Sequence, residues 1–296
     1  MIFSANLSVI TYMLALALMT LNSSSGYASE AESHPQVKEL LEGGFLKLEN
    51  TPTLTLLRIG QDSEAKRVVL FIEGDGAAWS NYGFKPPDDP TPKNSLSLRI
   101  ASDSRHKSKL TLIYVARPCQ FKSPKALAQC SPTQWSTERY NDTQTSIMET
   151  SISLALTNVA AMAGYINDLQ IIGHSGGGVL GVRIAASRLR KKQIFNKLYA
   201  IASPIDVETW LRNHRLDSLS LGTYYQDLRL IGENELLEVY LGGSDPIVRG
   251  IDTVSDLVWL RKKSILVPKV KHIAGWNEYW NNTLLPKIKA PKAPTE

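Results

Sequence analysis

Cysteine, histidine and long apolar runs are all scarce in this chain of 296 residues, and each scarcity removes a class of function. There are two cysteines and five histidines, and no His-Glu-x-x-His pattern occurs. No histidine lies near the cysteines at ligand spacing, so a metal pair built on them is not indicated. A Walker-type lysine and any internal repeat are missing as well, so no cofactor is expected. The net charge of +5 is mild and the basic residues are scattered, which leaves no footprint for nucleic acid. Arg188, Arg190, Lys191 and Lys192 do cluster, but where a helix should end, and there they complement its dipole.

The most apolar stretch, Val9 to Leu21, is uncharged and interrupted only by Thr11, Tyr12 and Thr20. It is shorter than the ~20 residues a membrane span needs. Followed by a polar segment ending in small residues at Ala28, it fits a secretory signal cleaved near that position. No Lys or Arg precedes the run, and no cysteine near the cleavage site suggests a lipid anchor. Export is the reading, with an uncleaved anchor as its alternative. It divides the chain into a signal (1–28), one domain (29–289) and a disordered Pro/Lys-rich tail (290–296). With 43% hydrophobic residues, the middle part has ample chain for a full core. In an exported protein Cys119 and Cys130, eleven positions apart, most simply form a local disulfide; two free thiols are the alternative.

Along the domain, apolar and β-branched runs alternate with helical patterns. A polar, acidic stretch (Ser29 to Glu42) precedes a hairpin expected over Phe45 to Ile59. Strands are expected at Arg67–Ile72, Lys109–Val115, Asp168 onward, Lys197–Ser203, Glu235–Leu241 and Ser264–Val270. Helical periodicity fills Tyr140–Tyr165, the stretch after Ser175 to about Gln193, Thr253–Lys263 and Asn277–Leu285. Such alternation predicts an α/β fold: a mostly parallel central sheet with helices on both faces. Two segments stay open. Cys119 to Tyr140 reads as a disulfide-pinned loop near the mouth of a site, where it would bear on substrate range. Pro204 to Glu235 reads equally as a lid or as a plain helix-and-loop connection.

The chain is organised around Asp168-Leu-Gln-Ile-Ile-Gly-His-Ser-Gly-Gly-Gly-Val-Leu-Gly181, a strand, a glycine-bounded turn and a helix start. Ser175 stands at the apex between Gly173 and Gly177, the G-x-S-x-G nucleophile elbow. Such a turn projects the hydroxyl clear of the sheet, and side chains at the flanking positions would collide with the strand and helix. Two other readings share these residues. Gly176-x-Gly178-x-x-Gly181 matches a dinucleotide fingerprint with Asp206 further on, but it leaves Gly173-His174-Ser175 without a job. A glycine-rich turn with no chemistry is the other.

A serine at an elbow, an acid after the seventh strand and a histidine after the eighth is the chain order of the α/β-hydrolases. From about Val68 to the last helix the sequence resembles that superfamily, and within it, more loosely, exported bacterial members of unassigned substrate. The resemblance implies the α/β-hydrolase fold, with a small lid insertion as an option, and a triad of Ser175, Asp245 and His272. Asp245 follows a strand end and a Gly-Gly turn, which places it better than Asp252 or Asp256. It further implies an oxyanion hole from the Gly176 N–H and one N–H of the loop after Ile72. Where the superfamily often has His-Gly, this chain has Glu73-Gly74, so Asp75 or Gly76 is expected to donate. His174, at the variable position of the elbow, is expected to face away from the chemistry, and His214 to lie on a solvated surface. The expected activity is hydrolysis of a carboxylic ester in a small-molecule or lipid-like acyl substrate. Thioesterase or peptidase action, a non-catalytic binding protein of the same fold and a dinucleotide-binding protein are the alternatives.

Overall fold

The structure, a computed structural model, describes residues 29–77, 86–250 and 257–290. The expected signal segment, Asp252, positions 253–256 of the expected helix with Asp256 among them, and positions 291–296 of the expected tail lie outside the described residues.

Eight strands form one sheet: β1 (Leu46–Lys47), β2 (Thr55–Arg58), β3 (Arg67–Ile72), β4 (Thr111–Val115), β5 (Asp168–His174), β6 (Lys197–Ile201), β7 (Leu237–Gly242) and β8 (Ser264–Val267). Their order is β1-β2-β4-β3-β5-β6-β7-β8. The first two strands join antiparallel, as the expected hairpin, and every pair from β3·β4 to β7·β8 is parallel. Period-2 alternation splits each strand between two cores. Val68, Leu70 and Ile72 of β3 face one, and Val69 and Phe71 face the other. Completely burying such a side chain contributes about 1.5–3 kcal/mol, so both faces must be covered.

Helices cover them. Helices α1 (Ser29–Ser33), α2 (Pro35–Glu42) and α3 (Leu96–Lys107) precede or follow the first strands, and α4 (Pro124–Leu127) is a single turn in the cystine loop. Then come α5 (Asp142–Ala163), α6 (Gly176–Arg190), α7 (Val207–His214) and α8 (Tyr224–Glu233). The chain ends with α9 (Val258–Lys263), α10 (Trp276–Tyr279), a π turn (Trp280–Leu284) and α11 (Leu285–Lys289). One core packs α5, α6, α7 and α8 on the sheet through residues such as Met148, Ile152, Val179, Leu211 and Leu228. The opposite core packs α2, α3 and the C-terminal helices through Leu40, Leu98, Trp276, Trp280 and Ile288.

Neither α2 nor α3 carried an expectation. In α3 the apolar Leu96, Leu98 and Ile100 recur every second residue, a strand-like pattern. The segment is helical because Ser95 caps it, its side chain accepting from the Leu98 N–H at 2.9 Å. The polar stretch before Glu42 holds α2, which buries Val37 and Leu40, three apart on one face. Strand β8 stops at Val267, short of the expected Val270, because Pro268 has no N–H to extend the ladder. The Pro204–Glu235 segment supplies α7 and α8, which pack into the core beside α6. None of its residues lines the pocket at Ser175, so it is the connecting segment rather than a lid.

Candidate active site

Strand β5 delivers Ser175 to the C-terminal edge of the sheet and α6 leaves from it. Ser175 has φ 53° and ψ −127°, a left-handed conformation that a side-chain-bearing residue adopts only under constraint. Its N–H donates to the Ile201 carbonyl at 2.9 Å, and its carbonyl accepts from the Gly178 N–H at 3.0 Å, which pins the turn. The flanking glycines are there for space. A Cβ on Gly173 would sit 2.5 Å from the Gly177 carbonyl oxygen, and one on Gly177 would sit 2.5 Å from that of Ile72. Packing also accounts for the rest of the dinucleotide-like pattern. A side chain on Gly178 would strike Ser203, and one on Gly181 would lie 2.8 Å from Leu198.

Three residues far apart in the chain meet here. His272 Nε2 is 3.1 Å from Ser175 Oγ, and His272 Nδ1 is 2.9 Å from Asp245 Oδ2. A carboxylate only accepts, so Nδ1 carries the proton and Nε2 is left to accept from the serine hydroxyl. Asp245 follows β7, its side chain wholly buried. Its Oδ1 accepts from the N–H groups of Ile247 (2.8 Å) and Val248 (3.0 Å). Those two bonds fix the carboxylate so that Oδ2 faces the imidazole.

The loop after β3 closes the other side. Glu73 is buried, and burial raises its pKa against the pull of Ser95, Tyr114 and the Gly74 amide. Its carboxylate accepts from Gly74 N–H and Tyr114 hydroxyl, both at 2.8 Å, and from Ser95 Oγ. The Gly74 N–H is thereby taken, and the Ala77 N–H donates to the Pro90 carbonyl. Between them lie the two amides singled out from the sequence, those of Asp75 and Gly76, with Gly76 at φ +62°. Gly176 begins α6 directly after Ser175, so its N–H is one of the helix's unpaired first-turn donors. Together these groups border a cavity of about 310 Å³, lined in part by Ser175, His272, Leu96, Pro92, Ala77 and Ile273.

Three expectations need correcting. His174 does not face away: it lines the same cavity, with its ring 5.0 Å from that of His272. Strand alternation turns it from the nucleophile, but β8 brings His272 back over it, and His174 Nε2 donates to the His272 carbonyl at 3.1 Å. Burial, then the neighbouring His272, hold its pKa down to about 3, so it serves as a neutral strut. Nothing in the sequence links positions 174 and 272, and only the parallel sheet does so. The second correction concerns Cys119 and Cys130. They form the disulfide, with Cα atoms 6.2 Å apart, but their loop lines none of the cavity. It braces the loop after β3, Gln120 Nε2 donating to the Gly74 carbonyl at 3.0 Å. His214, expected on a solvated surface, is half-buried with its ring 5.1 Å from that of Trp210.

Sheet, elbow and the Ser–His–Asp line define an α/β protein with these three residues joined at the C-terminal edge of its sheet, and solved structures agree on the architecture. The hyperthermophilic esterase from the archaeon Pyrobaculum calidifontis matches with a TM-score of 0.51 at 12% identity, covering 98% of each chain. A monoclinic form of the Pyrobaculum calidifontis esterase gives 0.50 at 11% identity, over 95% of this chain and 97% of that one. At such identity the likeness establishes the fold alone: this chain has the α/β-hydrolase fold. No family model and no curated protein sequence matches it.

Proposed function

We propose that the protein is a serine hydrolase that cleaves a carboxylic ester, or a related acyl bond, through an acyl-enzyme. The observation that carries this reading is the unbroken hydrogen-bonded line from Ser175 through His272 to Asp245, ending at a strained elbow inside a cavity. A serine hydroxyl is a poor nucleophile at neutral pH, so His272 Nε2 takes its proton as Oγ attacks the carbonyl carbon. Asp245 keeps Nδ1 protonated and stabilises the imidazolium that forms. The carbonyl oxygen, now an oxyanion, is met by the Gly176 N–H and by an amide of Asp75 or Gly76, each worth roughly 2.7–4 kcal/mol. His272 then protonates the leaving group, and water, activated by the same base, releases the acid. Leu96, Pro92 and Ile273 give the cavity an apolar wall suited to an acyl chain. The same chemistry serves thioesters and amides.

Export after cleavage near Ala28 belongs to the same proposal, and the Cys119–Cys130 disulfide supports it, since such bonds persist in oxidising compartments. The test is labelling of the purified protein with a fluorophosphonate probe. Labelling is expected in the wild type and lost in Ser175→Ala and His272→Ala. A folded wild type that never labels, or a Ser175→Ala variant that still turns over esters, would sink the assignment.

A further inference from the structure

Two oxyanion donors on different elements act together only if something holds those elements in register. In this protein the Asp75 side chain bridges them. It starts on the loop after β3 and reaches the first residue of α6, where its Oδ1 occupies the space a Cβ on Gly176 would need, with Tyr140 Oη 2.5 Å from the same point. The carboxylate is gripped on every side. Arg117 bonds Oδ1, Tyr140 donates to Oδ2 at 2.6 Å, and Arg139 Nε lies 3.3 Å from Oδ2. Burial alone would raise the Asp75 pKa, but Arg139, Arg117 and Tyr140 reverse that and hold it below the usual carboxylate range. The cage is itself braced: Arg117 Nη2 donates to the Arg139 carbonyl at 2.5 Å, and both guanidinium groups lie about 5 Å from the Tyr140 ring.

The source of the cage matters. Arg117 stands two residues after β4, and Arg139 and Tyr140 just before α5, so both ends of the disulfide-closed excursion clasp one carboxylate. A bare anion beside a forming oxyanion would oppose catalysis. Two guanidinium groups on one carboxylate leave the cluster of Asp75, Arg117, Arg139 and Tyr140 with one positive charge in excess.

We propose that Asp75 is a positioning residue. Its carboxylate, clasped by Arg117, Arg139 and Tyr140 and seated against Gly176, aligns the oxyanion-hole amides of the β3 loop and of α6. This rests on the serine-hydrolase reading and extends it from the backbone amide of residue 75 to its side chain.

The experiment compares wild type, Asp75→Asn, Asp75→Glu and Tyr140→Phe in kcat and KM for a p-nitrophenyl ester. It adds the affinity of each for a trifluoromethyl ketone, which forms a tetrahedral adduct on the serine. Loss of alignment should lower kcat about 10–100-fold in Asp75→Asn, less than the 100–1,000-fold of deleting an oxyanion donor outright. KM should stay within about threefold, and adduct affinity should fall in step with kcat/KM. Asp75→Glu restores the charge but, one methylene longer, not the seat, so it should stay impaired. Should Asp75→Asn not fold, Tyr140→Phe, which removes one hydroxyl, still reads the effect as an approximately three- to tenfold loss in kcat. If the side chain aligned nothing and its charge only opposed the forming oxyanion, Asp75→Asn would match or exceed wild-type kcat, and that result overturns the proposal. A wild type that labels with fluorophosphonate while Asp75→Asn and Tyr140→Phe keep full kcat removes the positioning role alone. A wild type that never labels removes the hydrolase reading and this role together.

Discussion

Replacing Asp245 with asparagine tests the site more sharply than removing it. The side chain is wholly buried, and its two oxygens have separate tasks: Oδ1 accepts from the Ile247 and Val248 amides, and Oδ2 accepts from His272 Nδ1. Asparagine can keep the first task with its oxygen, which points its NH2 at the imidazole. Two donors cannot face each other, so the proton moves from Nδ1 to Nε2, and His272 then presents N–H to Ser175 where an acceptor is needed. The backbone stays in place, because the amide-bonded half of the side chain is unchanged, and the loss in stability should be about 1–2 kcal/mol. Turnover at pH 7 should fall about ten-thousand-fold, the size of a wrong tautomer in such a triad, which is about 5 kcal/mol of transition-state stabilisation. Steady-state hydrolysis of a p-nitrophenyl ester read beside thermal unfolding separates the two effects. An Asp245→Asn protein with kcat within tenfold of wild type would refute the reasoning and move the orienting role elsewhere.

Three further expectations follow from packing, titration and the cystine. Gly177→Ala places a methyl group 2.5–2.6 Å from the carbonyl oxygens of Ile72 and Glu73, so the loop after β3 must shift. It should cost about 1–3 kcal/mol in urea unfolding and slow fluorophosphonate labelling, and wild-type values in both would contradict the close approach. His174, held down to about 3 in the fold against 6.5 when free, stabilises the protein fully only above about pH 6.5. As pH falls towards about 3 the unfolded chain takes up a proton that the folded one refuses. Stability should then decline by up to about 1.4 kcal/mol per pH unit, and His174→Gln should flatten that slope; equal slopes would be inconsistent with the buried strut. Cys119→Ser with Cys130→Ser should lower stability by about 2–3 kcal/mol, the entropy of a short closed loop. Because that loop braces Gly74 and the Asp75 cage, it should also lower kcat more than it alters preference among esters. A changed acyl preference at constant kcat would show the loop acting on the pocket instead.

What the sequence determined alone was everything set by local pattern. Alternating β-branched runs between helical segments specify a parallel α/β sheet, because a strand buried on both faces has to be apolar throughout. Glycines two residues on either side of Ser175 specify the elbow, because no other residue leaves room for β3 and α6 at that distance. Asp245 and His272 were legible as residues following the ends of strands. Tertiary structure alone decided the rest. It showed that His174 props the carbonyl of a residue 98 positions away, and that the Gly74 amide is taken up by the Glu73 side chain. It kept a polar loop out of the cavity lining and made helix α3 from an alternating pattern. It also gathered Arg117, Arg139 and Tyr140 around Asp75. Spacing in the chain encodes which way a side chain points from its own element; what waits there is set by the sheet order, and no local pattern carries that.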